Sequence, residues 1–441
     1  MRPWRRRRFW RGNDMGASFF VMVSGLLTVG LPIFVALTLA VFIGLHLENG
    51  TPLMLIIQRM FSGLDSFPLM AIPLFILAGN LMSTGGLSQR ILRVAMLLVG
   101  PMRGGLAMTT VTGSMFFGAI SGSSPATVVS IGRMMLPTMT EQGYDKKFTL
   151  GLLMATGALG IIIPPSIFMI VYGAVAGVSI GALFMAGIGA GLVYGAVFFG
   201  YCWYRARRDG LEPRPWPGLG ELLAAVREAI WGLAIPVLIL GGIYGGVFTP
   251  TEAAAVAVAY AAFVGLFVYR ELDLASLWKV CVDSAVITAQ VMIIISAAAA
   301  FSWYLTSTGI TETIAGGLLA LSDSPWTLLL LINVVVLIAG MFLDPNSIVI
   351  ILVPLIVNVA RAVGIDLVHL GVILCVNCAI GMFTPPFGMN LFVASGLGNV
   401  RYSEAVRGAL PLVWLAMLAL LIVNVFPEIS LWLPRTVVSG M

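Results

Sequence analysis

The chain has 441 residues, 59% of them hydrophobic and only 10% charged, where soluble domains carry about 25% charged residues. That balance excludes a soluble globular domain and reads as a polytopic integral membrane protein. The net charge of +5 does not imply nucleic acid, because its placement follows membrane topology, and no DDxxD, HExxH or Walker loop suggests ATP use.

In chain order, "MRPWRRRRFWRGND" precedes the apolar run Phe19–Leu45. A signal peptide has an apolar region of about 7–15 residues. This run is too long for that, so it reads as one retained first helix behind a basic leader (residues 1–15), with Met15 an alternative start. Further runs of spanning length follow at Phe67–Met82, Leu150–Val171, Ile180–Tyr201, Ala229–Val247, Ala254–Val268, Ala285–Leu305, Val368–Val393 and Leu410–Val425. Between them lie two interrupted segments. Leu106–Ile120 is broken by Ser121–Pro125 and resumes at Ala126–Leu136; Leu328–Met341 is broken by Phe342–Asn346 and resumes at Ser347–Val359. Arms of about 15 residues, at about 1.5 Å each, stop short of crossing a ~30 Å core. They read as re-entrant hairpins whose tips end at mid-membrane.

Two further breaks share one signature. "GIIIPPSIFM" (Gly160–Met169) and "GMFTPPFGMN" (Gly381–Asn390) each place Pro-Pro three residues after a Gly, inside an apolar span. Proline inside a helix removes a hydrogen bond and clashes with the preceding turn, at about 3 kcal/mol. The two pairs are 221 positions apart (385 − 164), and the same offset puts Thr156 on Asn377 and Gly143 on Gly364. The chain is therefore an internal repeat. The first copy spans 16–204 (hairpin about 104–138, broken helix about 147–172). A basic loop with a linking helix occupies 205–248. The second copy spans 249–441 (hairpin about 326–361, broken helix about 368–393).

With the N-terminus in the cytoplasm, four crossings per half plus the linking helix invert the two copies. Twenty of the 24 Lys and Arg then lie inside and 3 outside, or 14 to 3 without the leader, in keeping with the positive-inside tendency. The C-terminus is expected in the periplasm.

Broken helices persist in lipid only where they line a cavity or bind something, and paired breaks in inverted repeats mark secondary transporters. An incoming helix end offers carbonyls suited to a cation. An outgoing one offers N–H groups suited to an anion. Gly118 and Ser121 end one hairpin arm, Gly160 and Ile163 one broken helix, and Gly340, Gly381 and Thr384 hold comparable positions in the second half. Ser124 before Pro125, and Asp344 before Pro345, are expected N-caps with Pro at the first helical position. Ser123, Ser124, Asn346 and Ser347 sit at the tips as candidate anion contacts, with Asp344 occupied as a cap.

Other features read as structural. Cys202, Cys281, Cys375 and Cys378 fall in or beside apolar spans and read as core thiols; the CxxC lacks a second pair for a metal site. His46 and His369 stand alone at helix ends. "TPTE" (Thr249–Glu252) is a capping box, and Asp283 a terminus charge. Arg133 reads as snorkelling to the cytoplasmic face, with substrate contact the alternative.

"FFGAISGSSPATVVSIG", "GALGIIIPPSI", "GGIYGGVFTPTEAAAVAVAYA" and "NCAIGMFTPPFGMNLF" together resemble the large membrane subunit, DctM type, of tripartite ATP-independent periplasmic (TRAP) transporters, over nearly the whole chain from about Gly16. The resemblance implies an all-α, elevator-type, Na⁺-coupled importer of organic acids in the bacterial inner membrane, with no cofactor. Its implied partners are a small four-helix membrane subunit and a soluble periplasmic receptor. Carried over by motif, one Na⁺ site would use Gly118, Ser121, Gly160, Ile163 and Pro164, and the other Gly340, Gly381, Thr384 and Phe387. Many relatives have Ser at the position of Gly118; a carbonyl ligand survives that change. A stand-alone ion-coupled di- or tricarboxylate carrier is the alternative. An intramembrane serine protease would need a histidine near "SGSS", and both histidines are expected on the periplasmic side.

Overall fold

The computed structural model describes residues 12–47, 52–213, 215–322 and 324–437. The basic leader falls outside these, apart from residues 12–15. The first half comprises α1 (Gly12–Thr28), α2 (Ile33–Leu47), α3 (Met54–Ser62), α4 (Ala71–Thr84), α5 (Leu87–Val99), α6 (Gly105–Ser121), α7 (Ser124–Glu141), α8 (Lys146–Gly157), α9 (Leu159–Ile162), α10 (Ile167–Ala176) and α11 (Ile180–Arg208). The second comprises α12 (Leu219–Tyr244), α13 (Pro250–Phe263), α14 (Leu274–Ser307), α15 (Ile310–Leu321), α16 (Pro325–Gly340), α17 (Pro345–Ala362), α18 (Leu367–Gly381), α19 (Met389–Gly398), α20 (Tyr402–Val425) and the short α21 (Glu428–Val437). Among the described residues, seven helices are long and apolar enough to cross a membrane, or eight with α8–α9 and α10 counted as one span bent by 45°.

The halves correspond through their packing. α6 and α7 form one hairpin, α16 and α17 the other. α6 packs on α8 and α9, as α16 packs on α18. Across the halves, α7 lies on α19 and α17 on α10, while α8 lies on α20 and α18 on α11. Each broken helix thus holds its own hairpin with its first segment and the other repeat's hairpin with its second. The two repeats are interlocked rather than side by side. One continuous apolar core runs through both, from Phe117 and Ile162 to Ile348 and Phe383.

The remaining helices frame this body. α4 packs on α13, and α2 on α14; α12 lies on α5 and α13, and α1 on α15 and α2. Two expectations are corrected here. Phe19–Leu45 is not one helix but α1 and α2, separated at Val29–Pro32. Gly30 adopts a left-handed φ of +87°, and Pro32 has no N–H to continue a helical ladder. The run is uniformly apolar across this turn, so hydropathy alone does not mark it. Nor is the helix after the basic loop an unmatched linker. α12 packs as α1 does, which makes it the opening element of the second half.

Local sequence accounts for the ends. Thr249 and Glu252 close a capping box at α13, with Pro250 at its start. Asp145 caps α8 and Asp366 caps α18, equivalent positions in the two halves. A side chain on Gly44 would meet the Tyr304 hydroxyl at 2.5 Å, so glycine there lets α2 lie directly on α14.

Candidate functional site

In the first half, α6 ends at Ser121. Gly122 turns the chain with φ +59°, and its N–H donates to the Gly118 carbonyl at 3.3 Å. The tip is only Gly122 and Ser123, shorter than the Ser121–Pro125 interruption read from sequence. α9 ends at Ile162, and Ile163 is extended (φ −84°, ψ 128°). The chain then passes a cis Pro164–Pro165 bond into α10. Pro164 has no N–H to offer the Gly160 carbonyl four residues back.

The hairpin tip is pressed onto this break. A Cβ on Gly118 would lie 2.9 Å from the Leu159 carbonyl oxygen; one on Gly122 would lie 2.9 Å from that of Pro165. A Cβ on Gly160 would lie 2.4 Å from Thr127 Oγ1 and 2.5 Å from the Ser123 carbonyl oxygen. The hairpin tip and the break therefore meet backbone to backbone, and a side chain at these glycines would force one of them to shift. Ser121 Oγ is 3.0 Å from Thr127 Oγ1, which donates to the Ser123 carbonyl at 2.8 Å. Gly118, Ser121 and Gly160 are thus brought together, with Thr127 added; Ile163 and Pro164 follow Gly160 along the same break.

The second half repeats the construction. A Cβ on Gly381 would lie 2.7 Å from both Cα and C of Gly340, so the end of α16 sits on the end of α18. Beyond Gly381 the chain winds through a cis Pro385–Pro386 bond to α19. The Thr384 N–H donates to the Gly381 carbonyl at 3.1 Å, and its hydroxyl donates to the Ile380 carbonyl at 2.7 Å. Phe387 is 57% exposed and its ring lies against Phe342 of the hairpin tip at 5.6 Å. Any ligation there uses its backbone, not its side chain. Below each glycine contact is a polar bridge: Ser114 to Thr156 at 3.2 Å in the first half, Asn377 to Asn333 Oδ1 at 2.8 Å in the second.

The outgoing helices differ in their caps. Asp344 is the N-cap of α17; its carboxylate accepts from the Ser347 N–H at 3.1 Å and from the Ser347 hydroxyl. In α7 the N-cap is Ser123, not Ser124, and its side chain makes no capping bond. Ser124 is the first helical residue and Pro125 the second. The left-handed Gly122 completes the turn one residue sooner than the Ser-Pro pattern suggests. Ser124 is fully buried, and its Oγ accepts from Asn390 Nδ2 of α19 at 2.8 Å. Ser347 is fully buried as well. Ser123 and Asn346 are half-buried, and Asn346 Oδ1 has no hydrogen-bond partner among the described residues. Arg133 is exposed on α7.

Three contributors escape a sequence reading by residue type. Thr127 and Asn390 lie inside "FFGAISGSSPATVVSIG" and "GMFTPPFGMN", where a polar group in an apolar segment is the available signal. Cys375 donates to the Ile161 carbonyl at 3.0 Å, tying α18 to the first break; nothing in the CxxC spacing indicates that.

A family model described as "Tripartite ATP-independent periplasmic transporter, DctM component" matches residues 20–429. This chain belongs to the DctM family of TRAP transporters. The C4-dicarboxylate TRAP transporter large permease protein DctM of Vibrio cholerae is 41% identical over 439 residues, 95% of this chain and 97% of that protein. The isethionate TRAP transporter permease protein DctMQ of Oleidesulfovibrio alaskensis is 42% identical over 412 residues, 92% of this chain and 64% of that longer protein. The Alcanivorax borkumensis YdaH transporter, whose crystal structure is described as having an unusual topology, superposes with a TM-score of 0.59 at 13% identity, covering 85% of this chain and 88% of that one. That likeness concerns the fold alone. This DctM-family chain is a large permease subunit, a multi-pass membrane protein and not an enzyme.

The cap gives a direct test. Asp344→Asn keeps the acceptor and should leave the thermal midpoint of the purified protein nearly unchanged. Asp344→Ala should lower stability by about 1 kcal/mol. A lower midpoint for Asn than for Ala would contradict the capping role.

Proposed function

We propose that this subunit performs Na⁺-coupled import of a small organic anion across the bacterial inner membrane. It would work beside a small four-helix membrane subunit, fed by a soluble periplasmic receptor, and move its substrate by an elevator mechanism. One observation carries the reading. Each hairpin tip seats on a Pro-Pro break, so each half gathers backbone carbonyls and hydroxyls at one place, and the Asp344 carboxylate at the second tip is taken up in capping α17. Such oxygens suit Na⁺ as cargo, and the N-termini of α7 and α17 suit an anion. Gly118, Ser121, Gly160, Ile163 and Pro164 would serve one ion; Gly340, Gly381, Thr384 and the Phe387 carbonyl the other. At the tips, Ser123 and Asn346 are the half-buried groups left to meet substrate. Ser124 and Ser347, buried and engaged, would shape the site from behind.

The substrates named for the two relatives, a C4-dicarboxylate and isethionate, are both anions, which supports the class. The name DctMQ, on a protein longer than this chain, supports a Q-type partner. The interlocked packing of α6–α11 with α16–α20 supports motion of both repeats as one body. No resident cofactor is invoked.

Uptake should vanish when external Na⁺ is replaced by choline at unchanged membrane potential. The assay is receptor-driven uptake into liposomes holding both membrane subunits, with succinate leading a panel of carboxylates. Thr384→Ala should raise the Na⁺ concentration for half-maximal uptake by about 2- to 10-fold, the worth of one hydrogen-bonding group. Full uptake without Na⁺ would reject the reading.

Topology follows from α1 and α2, which at 17 and 15 residues are not among the seven spans; whether the pair crosses twice or returns as a hairpin, the crossings before the basic loop 205–218 number five or three, not four. Keeping that loop cytoplasmic puts the start of α1 in the periplasm, opposite to the single-helix expectation, and the C-terminus still in the periplasm. The 14-to-3 split of the other basic residues is untouched. In a variant lacking native cysteines, Gly16→Cys should react with an impermeant maleimide in intact cells, and Arg207→Cys only after permeabilisation. Protection of Gly16→Cys in intact cells would restore a cytoplasmic N-terminus.

A further inference from the structure

Asn390 is fully buried near the start of α19, just beyond the second Pro-Pro break. Its N–H donates to the Met382 carbonyl inside that break at 2.8 Å. Its Nδ2 reaches into the other repeat, donating to Ser124 Oγ at 2.8 Å and to the Met154 carbonyl of α8 at 3.2 Å. Its Oδ1 has no hydrogen-bond partner among the described residues. Ser124 opens α7, three residues before Thr127, whose Oγ1 bonds Ser121 Oγ and the Ser123 carbonyl and presses on Gly160. One side chain therefore links the loop of the second pocket to the groups of the first.

Packing alone does not explain an amide here. A buried polar group left partly unsatisfied costs stability. The repeat offset puts Met169 at the equivalent place in the first half (390 − 221), and Met169 is buried and packs on Gly187. An apolar side chain thus fills the symmetry-related position. A second polar tie across the repeats, Cys375 to Ile161, uses a thiol, a weak donor. The amide link is one-sided.

We infer that Asn390 is a positioning residue that couples the two cation pockets, so that filling one favours filling the other. This rests on the proposal that both pockets take Na⁺. A coupling of this kind is a free energy shared between sites, and it is reciprocal. The carrier is the contiguous chain Met382–Asn390–Ser124–Thr127, not distance alone.

The test is equilibrium Na⁺ binding to the full-length chain with its small membrane partner, by calorimetric titration of NaCl against choline chloride at constant ionic strength. The wild type should bind with a Hill coefficient above 1. Asn390→Ala and Ser124→Ala, which break one bond from opposite sides, should each lower it to about 1 and raise the half-saturating Na⁺ concentration. The double variant should go no further than either single one. Asn424→Ala is the control. It removes an amide bonded to Asn333 in the second half alone and should keep the wild-type steepness even if it lowers the melting temperature. A wild type that fills two independent sites, variants as steep as the wild type, or a control that flattens equally would each overturn the inference. A wild type that binds no Na⁺ would instead overturn the Na⁺ coupling proposed above.

Discussion

A helix broken inside a bilayer exposes carbonyl and N–H groups that lipid cannot satisfy. Here each break is covered by a hairpin tip pressed against it, glycine on backbone: Gly118 on Leu159–Gly160, Gly340 on Gly381. The arms that carry the tips run 16–18 residues, longer than the sequence reading of about 15, and α17 is itself long and apolar enough to span. Opposing backbones approach to near contact, which the glycines at these positions permit. In the first half Pro164 leaves the Gly160 carbonyl without its helical N–H partner, beside the Ser121 and Thr127 hydroxyls; in the second the Gly381 and Met382 carbonyls accept from the Thr384 and Asn390 N–H groups.

The interlock multiplies that effect. Because α7 packs on α19 and α17 on α10, neither repeat can rearrange its tip without meeting the other's broken helix. The frame of α1–α5 and α12–α15 meets this body along α5–α6, α4–α6 and α15–α17. At the α5–α12 edge the frame carries an exposed ion pair, Arg93 with Glu228 at 2.8 Å, of the kind worth about 0–1 kcal/mol. The less exposed Arg90–Glu271 pair, at 2.6 Å, ties α5 to the segment before α14, and apolar packing such as Phe19 and Leu37 with Phe301 and Leu305 fills the frame's interior.

The breaks and hairpins were legible in the sequence because they violate local rules. Pro-Pro within an apolar span, and Ser or Asp before Pro between two short arms, contradict a continuous helix wherever they occur. The turn at Gly30–Pro32 was not legible by hydropathy, since it changes direction without changing polarity. The cap at α7 was misplaced by one residue because the left-handed Gly122, a backbone choice, decides where the helix begins. Asn390 was unreadable for a different reason. Its meaning lies in Ser124, 266 positions away, and only the crossing of the two repeats brings them together.

The central claim is that both repeats travel as a single body against the frame. Spin labels at Glu141 on α7 and Asn399 at the end of α19 report on that body, and a label at Leu223 on α12 reports on the frame; all three positions are exposed. Pulsed electron resonance should give an unchanged Glu141–Asn399 distance with and without Na⁺ and substrate, while the Glu141–Leu223 distance shifts by several ångströms. A Glu141–Asn399 distance that changes while Glu141–Leu223 stays fixed would mean that the repeats part from each other, and the account would be wrong.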